Sequence, residues 1–389
     1  MTKQIKIDYY DAFRCIADKC DFSCCQEWRI AVDDETRNQW KGLKLQATQD
    51  AQSEQPALTL YDYLEKEEDG HIITLNANKK CPFLNAQKLC RLVLELGEDC
   101  LSETCTKFPR RINIFEDRTE YALDFACPAV IDLIYSKVEG AKLLQEGMGK
   151  GDRSLLFAVR EMMLVVMEDD TYSLPERMMI IFYVLLDLLD AKQLTKEKVK
   201  RYEDKAHLKP LVEAMGKMKF NAAYSLWERN ELFLDVVHNY RKQKLYVEYL
   251  EPIAVRAERL EEAYLEVTIG EKVLAFEQVF EAYHKLVKDY VIAEIFGSSL
   301  LPEMTLTDMV IAFEWITMEY ATMKQAIFLS WLEDGEKELE YKTVRHAMMI
   351  ISRVTGYDQE DIKEYLENSF ESTLWEWGYL ALVVGNGRI

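Results

Sequence analysis

Residues 19–28 read KCDFSCCQEW, and with Cys15 just upstream four thiols fall within eleven residues, two of them adjacent. Thiols this dense serve as disulfides, metal ligands, a nucleophile or core filler, and the choice decides how the N-terminal third is built. All nine cysteines of the 389-residue chain lie before residue 128: Cys15, Cys20, Cys24, Cys25, Cys81, Cys90, Cys100, Cys105 and Cys127. Cysteines used as small hydrophobes scatter, so this segregation calls for a local cause. A disulfide framework fits poorly, because nine is odd and the opening MTKQIKIDYYDAF has no apolar export segment. A nucleophilic cysteine needs a partner base, and nothing ties His71, the histidine of this part, to a particular thiol. Metal binding is what remains.

If Cys20–Cys25 is helical, Cys20 and Cys24 share one face at i, i+4, with Cys25 offset by about 100°. One centre would then take Cys20 and Cys24, drawing further donors from CPFLNAQKLC (Cys81, Cys90), from Cys105 and from Cys127. Thiolates without a paired histidine select zinc or an iron–sulfur cluster. There is no Cys-x2-Cys pair, which speaks against a zinc ribbon. Cys-Pro occurs twice, at Cys81-Pro82 and Cys127-Pro128, the pairing that closes a ferredoxin-type run. Spacing alone leaves both metals open.

The net charge of −20 makes a nucleic-acid partner a poor expectation, since an acidic surface repels phosphates. It suits a cationic partner, or serves solubility alone. The most apolar run, MMIIFYVLLDLL (Met178–Leu189), is interrupted by Asp187 and too short to span a bilayer, so a cytoplasmic location is expected.

Two regions are predicted: a Cys-rich metal-binding region over 1–140 and a helical domain over 152–389. In the first, RIAV (Arg29–Val32) and HIITL (His71–Leu75) read as short strands, and RINIFEDRTEYALDF reads as a β-hairpin turning at Glu116-Asp117-Arg118. QATQDAQSEQPAL (Gln46–Leu58) reads as a loop or a loosely held helix. EGMGKGD (Glu146–Asp152) lacks a Gly-Lys-Ser/Thr and reads as a hinge, not a phosphate loop. Beyond it, Ser173-Leu174-Pro175-Glu176 is a capping box opening an apolar helix. Further helices are expected over 222–250, 252–267, 271–296, 306–333, 341–355 and 359–369. Trp315, Trp331, Trp375 and Trp377 sit at helical spacings and read as packing. The fold class is thus mostly α, with short strands or a β-hairpin in the Cys-rich N-terminal region and an all-helical C-terminal region.

FRCIADKCDFSCCQEWRIAVDDET (Phe13–Thr36) resembles the opening signature of the flagellin lysine-N-methylases, carried here by Phe13, Cys15, Cys20, Cys24, Cys25, Trp28, Asp34 and Thr36. CPFLNAQKLCRLVLELGEDCLSETCTKFPR is similar to the family's next block, through Cys81-Pro82-Phe83-Leu84, Cys90, Leu96-Gly97, Cys105 and Phe108-Pro109-Arg110. LDFACPAVIDL, with Cys127-Pro128, resembles its third element, and LPERMMIIFYVLLDLL its Glu-Arg-led apolar helix. The likeness is specific over residues 9–135 and looser afterwards.

The resemblance implies an enzyme that methylates ε-amino groups of flagellin lysines with S-adenosylmethionine. It also implies a 4Fe–4S cluster held among Cys15, Cys20, Cys24, Cys25, Cys81, Cys90, Cys105 and Cys127, with zinc as the alternative metal. Cys100 falls where the family has an aromatic residue and is left out of that set. Arg110 is the candidate cofactor-binding residue, since a guanidinium pairs well with a carboxylate. The cysteine run departs from the radical-type Cys-x3-Cys-x2-Cys pattern, because Glu27 stands at its third position. No catalytic base stands out among the many Glu and Tyr residues. The reading from another class is a non-enzymatic zinc- or iron-binding module whose helical part docks a protein partner.

Overall fold

The longest helix among the described residues, Leu306–Glu333, starts at a capping box in which Thr305 and Asp308 satisfy each other's backbone N–H groups. From Met309 to Leu332 every residue of this helix is buried. A helix buried on every side belongs at the centre of a bundle, and here the surrounding helices are Leu174–Leu189, Ala222–Lys242, Val247–Glu258, His284–Ser298, Tyr341–Val354, Gln359–Phe370 and Trp377–Val384. The computed structural model describes residues 3–46, 58–67, 70–146, 155–218, 221–264, 266–356, 358–370 and 372–385. The chain is mostly α, its strands all lie before residue 147, and the described residues from Leu155 onward form helices and turns.

Contacts divide the chain into two units, and the division is not a single cut. One unit comprises residues 1–12, 112–126 and 130–389, and the other residues 13–111 and 127–129. Thus residues 1–12 and 112–126, which the sequence places in the 1–140 region, pack with the helices. In the helical unit β1 (Lys3–Ile7) is a strand that periodicity did not reveal. In chain order the others are β2 (Ala31–Val32), β3 (Leu64–Glu67), β4 (Gly70–Ile73), β5 (Arg110–Ile114), β6 (Arg118–Leu123) and β7 (Leu143–Glu146). One sheet runs β5-β6-β1-β7, with β1 parallel to β6 and antiparallel to β7. The expected hairpin is its β5–β6 edge, where Phe115 N–H donates to Arg118 O at 2.8 Å across the turn. Ile5 and Ala122 of this sheet pack on Phe296 of the His284–Ser298 helix. Glu120, 1% exposed, takes both guanidinium nitrogens of buried Arg160 at 2.5 and 2.7 Å. The second sheet, β2-β4-β3, belongs to the other unit and pairs Val32 with His71 and Leu64 with Ile73.

Three helix boundaries differ from the expected ones. The helix expected over 222–250 stops at Lys242, because Lys244 and Tyr246 take left-handed backbone angles of 55° and 52°. The next helix, Val247–Glu258, carries Pro252 inside it where the sequence suggested a start; the missing proline N–H costs one hydrogen bond, and packing on the central helix outweighs it. The stretch 271–296 is interrupted by a tight turn at Glu281–Tyr283, which turns Tyr283 inward to donate to Leu339 O at 2.7 Å. The expected hinge at 146–152, apart from Glu146 at the end of β7, and most of the expected loop at 46–58 lie outside the described residues.

Candidate metal centre

Residues 13–111 fold around nine buried side chains: Ile30, Val32, Trp40, Leu60, Ile73, Cys81, Phe83, Leu92 and Cys100. Turns and isolated bridges do most of the positioning. The segment Cys20–Cys25 is not the expected helix: it runs through bends and a turn. Ser23 Oγ accepts from Cys25 N–H at 3.1 Å, and Glu27 is left-handed at φ 62°. A serine that bonds its neighbour's backbone competes with helix formation, and that competition wins here. Cys25 O accepts from Cys81 N–H at 2.8 Å and Lys79 O from Glu27 N–H at 2.8 Å, which clamps the first cysteine block to the second. Trp28 Nε1–H donates to Cys24 O at 2.6 Å.

Within the second block, Leu84 bridges Cys90 and Asn85 N–H donates to Leu89 O at 2.9 Å. The turn returns through Lys88, left-handed at φ 60°, and brings Cys90 back beside the Cys81 segment. Cys105 lies on the short helix Glu103–Lys107, where Ser102 Oγ accepts its N–H at 3.2 Å. Trp40 fastens this block from below, its Nε1–H donating to Cys100 O at 2.8 Å.

Charge ties Cys81 and Cys105 to each other and to Cys24 and Cys90, positions up to eighty-one residues apart in sequence. Burial first, then the charges of Cys105, Cys90 and Cys24, push Cys81 up to about 12 against a hydrogen bond from Phe83 N–H. Burial likewise raises Cys105 to about 11, with Cys24 and Cys90 adding to it and the Ser102 hydroxyl opposing. Cys81 and Cys105, raised by burial and by the charge of the thiols around them, would ionise on taking up a cation. Among the described residues no three His, Cys, Asp or Glu side chains stand in the arrangement a single ion demands. Charge acts over a longer range than shared coordination, so the two findings are compatible.

The other predicted ligands stand differently. Cys15 is exposed and accepts Ala17 N–H at 3.4 Å; Cys20 donates to Phe22 O at 3.2 Å. Cys25 packs on the apolar cluster, and Cys127 is buried just ahead of the Pro128–Tyr135 helix. Cys100 is 3% exposed, and its thiol donates to Gly97 O at 3.0 Å. Arg110 lays its guanidinium over the Phe13 ring, 5.2 Å from the centroid.

Sequence reasoning missed the polar groups inside the helical unit. The central helix buries Glu314, Glu319 and Lys324. Glu319 accepts from Tyr290 OH at 2.8 Å and Thr355 Oγ1 at 2.6 Å; Lys324 pairs with Glu277 at 2.7 Å. The signal was present in VIAFEWITMEY, where acids interrupt an otherwise apolar run. No helix among the described residues is long and apolar enough to cross a membrane.

Comparison with known proteins gives the chain a family. The profile of the FliB lysine N-methylase C-terminal domain matches residues 160–383, the greater part of the helical unit. The flagellar biosynthetic protein FliU of Salmonella muenchen is 31% identical over 133 residues, which cover 34% of this chain and 76% of that protein. The lysine-N-methylases of Salmonella choleraesuis (strain SC-B67) and Salmonella typhimurium (strain LT2) are each 29% identical over 136 residues. Those matches cover 34% of this chain and 33% of each relative, so the aligned part spans about a third of their length. No solved structure matches. With the family profile covering more than half of its residues, the chain belongs to the FliB lysine N-methylase family.

Proposed function

We propose that the protein is a lysine N-methyltransferase that moves a methyl group from S-adenosylmethionine to ε-amino groups of flagellin lysines. The observation that carries this reading is the family match over residues 160–383. The flagellar name of one relative and the lysine-N-methylase names of two others support the substrate. An acidic chain of net charge −20 is suited to approach a lysine-bearing surface, and location in the cytoplasm follows from the same reading.

The chemistry sets a demand on the chain. Attack on a sulfonium methyl needs the neutral amine, and holding a lysine of pKa near 10.4 neutral at pH 7 costs about 4–5 kcal/mol. The site must desolvate the ammonium or supply a base at hydrogen-bond distance. Orientation of the amine supplies much of the remaining acceleration.

In the same proposal Cys24, Cys81, Cys90 and Cys105 hold an iron–sulfur cluster, most simply 4Fe–4S. An all-thiolate donor set with no histidine among the four fits such a cluster, and zinc is the alternative. The cluster would act as a staple for a small core; binding energy of a metal to sites absent in the unfolded chain is folding energy. The Phe83 N–H and the Ser102 hydroxyl would then donate to the ligating sulfurs, tuning them as outer-shell partners. Anaerobic purification tests this directly. Iron with acid-labile sulfide is expected, and stoichiometric zinc in a fully folded, colourless protein that transfers no methyl group would favour the non-enzymatic binding module.

A further inference from the structure

Glu314 sits one-third of the way along the buried central helix and is fully buried. Its Oε1 accepts the backbone N–H of Trp375 at 2.7 Å, and its Oε2 has no partner. The indole N–H of Trp375, also buried, has none either. A buried carboxylate oxygen left open costs free energy, and such a group in a native structure calls for an explanation.

Trp375, whose backbone N–H bonds Glu314, belongs to a group of aromatic rings that meet at steep angles. Trp315 meets Tyr365 at 84°, Phe370 meets Trp375 at 61°, and Trp375 meets Tyr379 at 85°, with centroids 4.9–5.4 Å apart. Trp315 and Trp375 are buried, whereas Tyr365, Phe370 and Tyr379 are half-buried, so the group reaches from partly exposed rings to the buried Trp375 that bonds Glu314. At its outer end Asp235 accepts from the hydroxyls of Tyr365 and Ser369. Steeply inclined rings ending at a carboxylate are what an alkylammonium needs: ring faces for the cation and stem, and an oxygen for the N–H.

We propose that this aromatic group receives the side chain of the acceptor lysine and that Glu314 is the general base of methyl transfer. The assignment rests on the lysine N-methylase reading and specifies where it happens. Burial raises the Glu314 carboxyl to about 8, with the Trp375 N–H acting against it and no charged side chain contributing. A base with that affinity works close to neutral pH. Glu314 Oε2 takes one proton from the incoming ε-ammonium. The nitrogen lone pair then forms a C–N bond to the methyl carbon of a sulfonium donor. The C–S bond breaks with its electron pair going to sulfur, which leaves as a neutral thioether. The product is the charged methylammonium, and the proton on Glu314 passes to solvent.

The test uses the full chain and two readouts. Calorimetric titration with N-acetyl-lysine amide should show binding that Glu314→Gln weakens about 10- to 100-fold, the loss expected for one charged hydrogen bond. Glu314→Gln should also lower kcat on flagellin by about 10²- to 10⁴-fold, the usual worth of a general base, while the variant keeps its fold. Trp375→Phe, which removes the open donor but keeps the ring, should retain binding. Unchanged titration in Glu314→Gln, or no binding to the wild type, overturns the site. If wild type methylates flagellin and Glu314→Gln does so equally, the base is overturned while the enzymatic reading stands. If wild type transfers nothing, the enzymatic reading and the base fall together, and the titration alone decides whether the lysine site exists.

Discussion

Residues 13–111 and the helical unit use their buried residues in opposite ways. The first has, among its described residues, a core cluster of nine side chains, two of them cysteines, and depends on turns, bridges and N-caps to place its thiols. The second sinks twenty-four consecutive residues of one helix into its interior and keeps acids and a lysine there. A core this thin has little burial to spare, and a metal bound to it would add folding energy. A thick core can tolerate polar groups without unfolding, and those groups are where chemistry is expected. In the function proposed above, a metal on the thiols orders one unit and the interior of the other carries the reaction.

The largest effect that would break this contrast is selective unfolding of the thin-cored unit. Serine at Cys24, Cys81, Cys90 or Cys105 should deplete the metal, and hydrogen exchange should show loss of protection over residues 13–111 while the central helix stays protected. Cys100→Ser should leave metal content unchanged, because its thiol is engaged with Gly97 O and lies outside the set of four. Uniform loss of protection across both units would refute the division of labour.

A somewhat smaller effect is expected from the buried Glu120–Arg160 pair. Glu120→Ala leaves Arg160 charged without its carboxylate and should cost about 3–5 kcal/mol, read as a fall in denaturant midpoint. Glu314 provides the converse case. Its folded pKa, about 8, lies above the 4.5 of an ordinary carboxyl, so between those values the folded chain holds a proton that the unfolded chain has lost. Stability must fall as pH rises through that window and level off above it. Glu314→Gln should flatten the curve and leave the protein more stable than wild type at about pH 9. A variant that is more stable and less active separates a functional carboxyl from a structural one.

Much of the fold was legible in the sequence, for reasons that local chemistry supplies. The capping box Ser173–Glu176 is formed as read, with Ser173 Oγ and Glu176 joined both ways. The β5–β6 hairpin turns at Glu116-Asp117-Arg118, where alternation broke. What could not be read depends on distant partners. β1 pairs in parallel with β6, more than a hundred residues away, and β7 pairs with β1, so neither shows a local pattern. The cysteines could be counted from the sequence, but the grouping of Cys24 with Cys81, Cys90 and Cys105 depends on the Gln26–Lys80 bridge and the turn at Lys88. Glu314 was hidden among many acids, and only its depth singles it out. The tryptophans at 315 and 375 pack as the spacing suggested, and that packing is what shapes the proposed lysine site.

The smallest expected effect concerns the approach of the substrate. If an acidic enzyme draws a lysine-rich surface, kcat/KM on intact flagellin should fall as salt rises, by long-range screening over roughly 8–10 Å. The central claim is tested most directly by where the methyl group goes. Wild-type protein, purified without oxygen, is given labelled S-adenosylmethionine with flagellin, free lysine and nucleic acid side by side, and the label is located by mass spectrometry. Label on ε-amines of flagellin surface lysines is the predicted result; label confined to free lysine or nucleic acid, or none at all, would contradict it.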